Sequence, residues 1–317
     1  MKRILLLAAL MATSAPAATI YVSNERGGTI SVIDAVSGQA TATWPVGKRP
    51  RGILLSRDGT KLYICASDEN AVQVVDRATG KVLADLPSGE DPEQFALSPD
   101  GTTLYAANER DAAVTAIDVA RKAVTWQIPV GVEPEGMAAS PDGKYVLSTS
   151  ETDSQVHWID LATKQDVAQT AVGLRPRHAE FTKDGKAIWV SAEIGGTISV
   201  IDATTKQVTN TISFKPPGVP ADRVMPVGVR FTPDGKTALV ALGRAAQVAF
   251  VDVASGQVTG YVPVGMRVWH LALLPDGSKA YAANGLSNTV SVIDVATRTV
   301  TATIPVGQAP WGVAIAP

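Results

Sequence analysis

Cysteine is almost missing from this chain: Cys65 is the only one among 317 residues, so no internal disulfide can form. It lies in the strand-like run Leu62-Tyr63-Ile64-Cys65, where a buried, inert thiol is expected. Charge is also sparse, at 18% of residues. A formal net charge of −2 gives no case for nucleic acid or an anionic lipid surface as partner. Past the first 17 residues, no apolar run approaches the roughly 20 residues of a spanning helix. Neither a Walker loop, nor a nucleophile elbow, nor a Cys/His metal spacing occurs.

Residues 1–17 have the build of a cleavable secretory signal. Lys2 and Arg3 are followed by an apolar run from Ile4 to Met11, and small residues end at Ala15-Pro16-Ala17. The expectation is an exported, periplasmic protein whose mature part, residues 18–317, is one domain and a monomer.

What the sequence does have is a ruler. An apolar-Asp pair recurs at Asp34, Asp76, Asp118, Asp160, Asp202, Asp252 and Asp294, with steps of 42 residues except the step of 50 after Asp202. Strand-like units of about 40 to 45 residues are the signature of a β-propeller, because one four-stranded blade cannot bury its own faces and must stack on neighbours. The predicted fold is therefore all-β, a seven-bladed propeller. The longer step marks an insertion near Lys215–Asp222, proline-rich and stiff, expected as a lip over one face.

Each unit carries two turn signatures. Asp-Gly turns such as Pro99-Asp100-Gly101 and Pro141-Asp142-Gly143 use Gly at the left-handed position. The recurring aspartates open a second hairpin, in which Gly38, Gly80 and Gly256 occupy the place of Lys122, Lys164, Lys206 and Arg298. Both aspartate sets read as turn scaffolding. Pro310–Pro317 matches Pro92–Pro99, and Thr19-Ile20-Tyr21-Val22 matches Lys61-Leu62-Tyr63-Ile64. One blade should thus be completed by the last strand joining the first three.

The units resemble the YVTN family of β-propeller repeats, seen in Leu62-Tyr63-Ile64 through Val75-Asp76 and in Ile128-Pro129-Val130-Gly131. The tracts Pro50-Arg51-Gly52-Ile53, Pro134-Glu135-Gly136-Met137, Trp189–Gly196 and Val268-Trp269-His270 are similar to the secreted propellers associated with PQQ-dependent alcohol catabolism. That resemblance implies an accessory role in the periplasm beside a quinoprotein dehydrogenase or transport component, and it carries over no catalytic motif.

Chemistry should lie where equivalent positions differ. The residue after the proline that leads into each innermost strand runs Arg51, Glu93, Glu135, Arg177, Val227, Trp269, Trp311. Two residues earlier stand Arg49, Asp91, Glu133, Arg175, Met225, Arg267 and Ala309. A second set of loops on the same rim adds Glu25, Glu109, Glu151 and Glu193. Three readings follow. Arg51 and Arg177 pair with Glu93 and Glu135 as surface ion pairs. Glu109, Glu151 and Glu193 hold a divalent or trivalent cation. Arginine forks with Trp269 and Trp311 take a flat, multiply carboxylated ligand such as PQQ, or anchor a protein partner.

His178 and His270 follow in the series where most units have Gly, and they are expected to point into the channel mouth, two blades apart. With Glu93 and Glu135 they define the competing class, a lactonase- or lyase-like enzyme. His157 reads as structural. The favoured reading is a non-catalytic binding or scaffold propeller.

Overall fold

The computed structural model describes residues 18–317; the signal expected over residues 1–17 lies outside them. Twenty-eight strands, from Thr19–Asn24 to Pro310–Ala316, form seven four-stranded antiparallel sheets arranged as blades of a ring. Among the described residues, no helix is long and apolar enough to cross a membrane.

The local chemistry that sets each strand end is visible in the turns. Asp58 Oδ1 accepts from the Ser56 hydroxyl at 2.5 Å and the Thr60 amide at 3.0 Å, while Gly59 takes φ +66°. At the other hairpin, Asp76 Oδ1 accepts from the Thr79 amide at 2.8 Å, and Gly80 takes φ +73°. Lys122, Lys164, Lys206 and Arg298 hold the same left-handed backbone at φ 54–58°. Such a position costs a side chain roughly 1 kcal/mol, which the turn's own hydrogen bonds offset.

Closure follows the expected scheme. Pro310–Ala316 is the innermost strand of blade 1 and pairs with Thr19–Asn24, setting Ile20 against Ile315 and Val22 against Val313. Blades 2 to 7 follow in sequence order, each running from the channel outward.

The middle strands of every blade are buried on both faces because both faces are covered. Tyr63, Cys65, Val72 and Val74 of blade 2, for example, pack against Leu97, Leu104 and Ile117 of blade 3. Burying each such aliphatic side chain contributes about 1.5–3 kcal/mol. Cys65 is inaccessible here, as its sequence context suggested.

The insertion is anchored at both ends. Phe214 and Val224 at its ends are buried in the core shared by blades 5 and 6, with Val219 packed against them. The Lys215 amide donates to the Tyr261 hydroxyl at 2.8 Å. Apolar anchors thus tie the excursion to the ring, and its turn Ala221–Arg223 lies against Gly243–Ala245.

Candidate functional site

The inner strands all start on one rim, and a repeated backbone clamp joins the two loop series found there. The Glu109 amide donates to the Asp91 carbonyl at 2.9 Å, Glu151 to Glu133 at 3.0 Å, Glu193 to Arg175 at 2.8 Å and Gly285 to Arg267 at 2.8 Å. Arg49, Asp91, Glu133, Arg175, Arg267 and Ala309 adopt left-handed backbone, φ 53–58°, to present these carbonyls. The clamp is what brings charges from separate loops within reach of each other.

Those charges form an ion-pair layer across the channel. Arg51 contacts Glu93 and donates from Nε to Glu25 at 2.9 Å; Arg49 joins Glu93 to Asp91 at 2.7 Å. Three blades on, Arg177 contacts Glu151 and reaches Glu135 at 2.7 Å. Arg175 and Arg267 add bonds of 2.6 Å to Glu151 and Glu193. Burial pushes the Glu93 and Glu135 carboxyls up despite their arginines. Burial also opposes ionisation of Glu151, but the Glu135 carboxyl and Arg177 together hold it below the usual range. The two carboxyls under this one guanidinium are thus displaced in opposite directions, Glu135 up and Glu151 down.

Above this layer lies a cup of about 290 Å³, lined by Arg49, Arg51, Arg175, Arg177, Arg244 and Arg267, against Glu109 and Glu193. Trp269 forms part of its wall, with the Arg267 guanidinium 3.8 Å over the ring.

Below the layer the inner strands carry, in ring order, Gly52, Gln94, Gly136, His178, Gly228, His270 and Gly312. Large and absent side chains alternate for a steric reason. A Cβ on Gly136 would lie 2.9 Å from the Arg177 carbonyl and His178 Cα, and one on Gly228 would meet His270 Cα at 2.9 Å. The space so left lets alternate blades touch: Gln94 Nε2 donates to the Arg177 carbonyl at 2.9 Å, and the His178 and His270 rings stand 5.3 Å apart. His270 in turn lies 4.2 Å from Trp311.

Arg230 donates from Nη1 to His178 Nε2 at 2.7 Å and to Glu180 at 2.9 Å. A guanidinium can only donate, so His178 Nε2 is an acceptor and its proton sits on Nδ1, 3.2 Å from Gln94 Oε1. Burial pushes both imidazoles down, His270 furthest, which keeps them neutral. These groups line a cavity of about 550 Å³ that runs to Arg57, beside the Asp58-Gly59 turn and hence on the opposite face.

The family model for the YNCE-like beta-propeller matches residues 88–276, more than half of the chain. The chain belongs to the YNCE-like β-propeller family. No curated protein matches it. Among solved structures, the YNCE-like ring is similar to hydrazine synthase of Kuenenia stuttgartiensis, at 24% identity and TM-score 0.81, covering 88% of this chain and 92% of that one. A functionally unknown protein from Desulfotomaculum acetoxidans gives 16% identity and TM-score 0.80, covering 94% and 98%. A candidate 6-phosphogluconolactonase from Bacteroides fragilis gives 20% and 0.78, covering 96% and 99%. At these identities the likeness is one of fold.

Within this YNCE-like ring several sequence expectations need correction. The Arg–Glu pairs bridge blades as expected, yet they are not surface pairs: Glu93, Glu135 and Arg177 are at most 3% exposed. His178 and His270 are not at the rim and not apart; Gly228 between them lets the rings meet lower in the channel. Trp311 is 1% exposed, so of the two tryptophans only Trp269 reaches the cup. Glu109, Glu151 and Glu193 do not gather round one point, because arginines hold the last two. The compact carboxylate group among the described residues is Asp91, Glu93 and Glu109, and Arg49 reaches all three. His157 is structural, bonding Asp166 at 2.7 Å and accepting from the Gly131 amide at 3.0 Å.

Gln94, Glu180, Arg230 and Arg244 were missed. Gln94 was readable, since it breaks the glycine series as the histidines do. Glu180 and Arg230 lie two residues beyond channel-facing positions, so strand alternation would have found them.

Proposed function

We propose that the chain is a periplasmic, non-catalytic binding propeller, an accessory of PQQ-dependent alcohol catabolism, whose cup takes a flat polycarboxylated ligand or the acidic surface of a protein partner. The observation that carries this reading is the lining of the cup, where Arg244, which makes no ion pair among the described residues, and the half-exposed Arg175 stand with Trp269 on the wall. Guanidinium forks match carboxylates bidentately, and an indole face adds stacking for a planar body. PQQ has that chemistry. The signal-like leader supports export, and the tracts around Arg51, Glu135 and Trp269 support the catabolic setting.

An enzymatic reading needs a free acid or base at the rim. Glu93 and Glu135 are each engaged by arginine, and both histidines lie beneath them.

Calorimetric titration with PQQ, with a pull-down from periplasm alongside, tests the proposal. Trp269→Ala and Arg175→Ala are expected to weaken binding at least about 10-fold, the scale of one lost stacking or bidentate contact. Asp234→Ala, on the opposite face, should leave it unchanged. Equal effects from both faces would sink the idea.

A further inference from the structure

The cavity beneath the ion-pair layer is separate from the cup and carries its own recognition chemistry. Arg230 makes all its protein hydrogen bonds through Nη1, to His178, Glu180 and the Val229 carbonyl. Its Nε and Nη2 donors bond to no protein group, and the side chain is 31% exposed. A fork with one prong anchored and two donors open is preorganised for a carboxylate.

At the other end of the same row, the Trp311 Nε1–H is buried without a protein acceptor, and His270 Nε2 is buried without a partner. Both residues line the cavity and are at least nine-tenths buried. An indole N–H can only donate, and leaving such a donor unmet costs about 1–3 kcal/mol. An acceptor oxygen on a bound molecule would satisfy it. Leu54, Ala96 and Ala138 supply apolar wall between the two ends. The charged groups facing this space are Arg230, Glu180 and, at its opening, Arg57, so the lining is positive by one charge.

We infer that this lower channel is a binding site for a small monocarboxylate that carries a second oxygen acceptor remote from its carboxylate. The carboxylate sits on Nε and Nη2 of Arg230, the apolar body lies along Leu54, Ala96 and Ala138, and the far oxygen accepts from Trp311 Nε1. Two neutral imidazoles floor the site, and the anion enters from the face opposite the cup.

The test is calorimetric titration of the intact protein with 4-hydroxybenzoate, 4-hydroxybenzamide and benzoate. Saturable binding of 4-hydroxybenzoate is expected, weakened at least about 10-fold for the amide, which lacks the charge, and several-fold for benzoate, which lacks the far oxygen. Arg230→Gln should also cost at least about 10-fold. Ala138→Leu should block binding by filling the cavity, while Trp269→Ala in the cup should leave it intact. The inference is overturned by the absence of saturable binding, by an amide that binds as well as the acid, or by binding that Trp269→Ala removes and Ala138→Leu does not. Should either channel variant fail to fold, the comparison of acid and amide on the unaltered protein still decides.

Discussion

Gln94 donates to the backbone carbonyl of Arg177 at 2.9 Å, two blades away, across a gap where Gly136 has no side chain to interpose. The same arrangement, repeated at Gly228, is why the inner strands approach closely enough to carry a continuous polar row.

Gly136→Ala and Gly228→Ala should therefore each destabilise the ring by about 1–3 kcal/mol, the range for overpacking a close contact. Gly38→Ala meets no atom within 4 Å and carries only the left-handed penalty of its φ of +66°, roughly 1 kcal/mol. Urea midpoints at constant m-value check the order.

The two partners of the central pair should differ sharply on removal. Arg177→Met strands two buried carboxyls and is expected to cost about 3–5 kcal/mol. Glu135→Gln keeps the shape and an oxygen acceptor for Arg177 while removing a charge that burial disfavours, so its cost should be smaller than that of Arg177→Met. Equal losses in thermal melts would contradict this order.

Acid should unfold the protein through its turns. Hydrogen bonds from the Ser56 hydroxyl, the Thr60 amide and the Thr60 hydroxyl push Asp58 down to about 2, and Asp100, Asp142, Asp234 and Asp276 are lowered in the same manner. Groups lowered on folding stabilise above their unfolded value and lose that contribution as pH falls through the folded one. Glu93 and Glu135, raised on folding, act oppositely, and their favourable share is lost as pH climbs past the ordinary carboxylate value. Melting temperature should peak at mildly acid pH and drop between about pH 4 and pH 2. A flat profile over that interval would refute the assignment.

Cys65 should ignore thiol reagents while the ring is closed. Burial pushes its thiol well above the usual value, and no surface of it is exposed. Labelling by a disulfide reagent should follow the rate of unfolding in denaturant; rapid labelling of the native protein would contradict this.

Architecture was legible because it repeats. Asp76 and its counterparts recur seven times and the Asp-Gly turns six, the match of Thr19–Val22 to Lys61–Ile64 gives the closure, and the structure obeys all three. Positions such as Arg51 and His178 were also legible as departures from the repeat. Their depth was not. Whether a residue at the start of an inner strand lies on the rim or below it depends on how closely neighbouring strands approach, and that is set by Gly136 and Gly228 on other blades. For the same reason Glu93 and Arg177 read as surface charges until the clamp that draws their loops inward is known.

Seven is odd, and strict alternation of two kinds of residue cannot close on an odd ring. Somewhere two of a kind must be neighbours, and here they are Gly312, on the closing strand of blade 1, and Gly52, on blade 2. Beside that mismatch the Trp311 ring lies against His270, and Arg51 stands 5.6 Å from its face. Parity alone thus gives a pseudo-symmetric channel one direction unlike the other six. No loop needed to change length to break the symmetry of the channel.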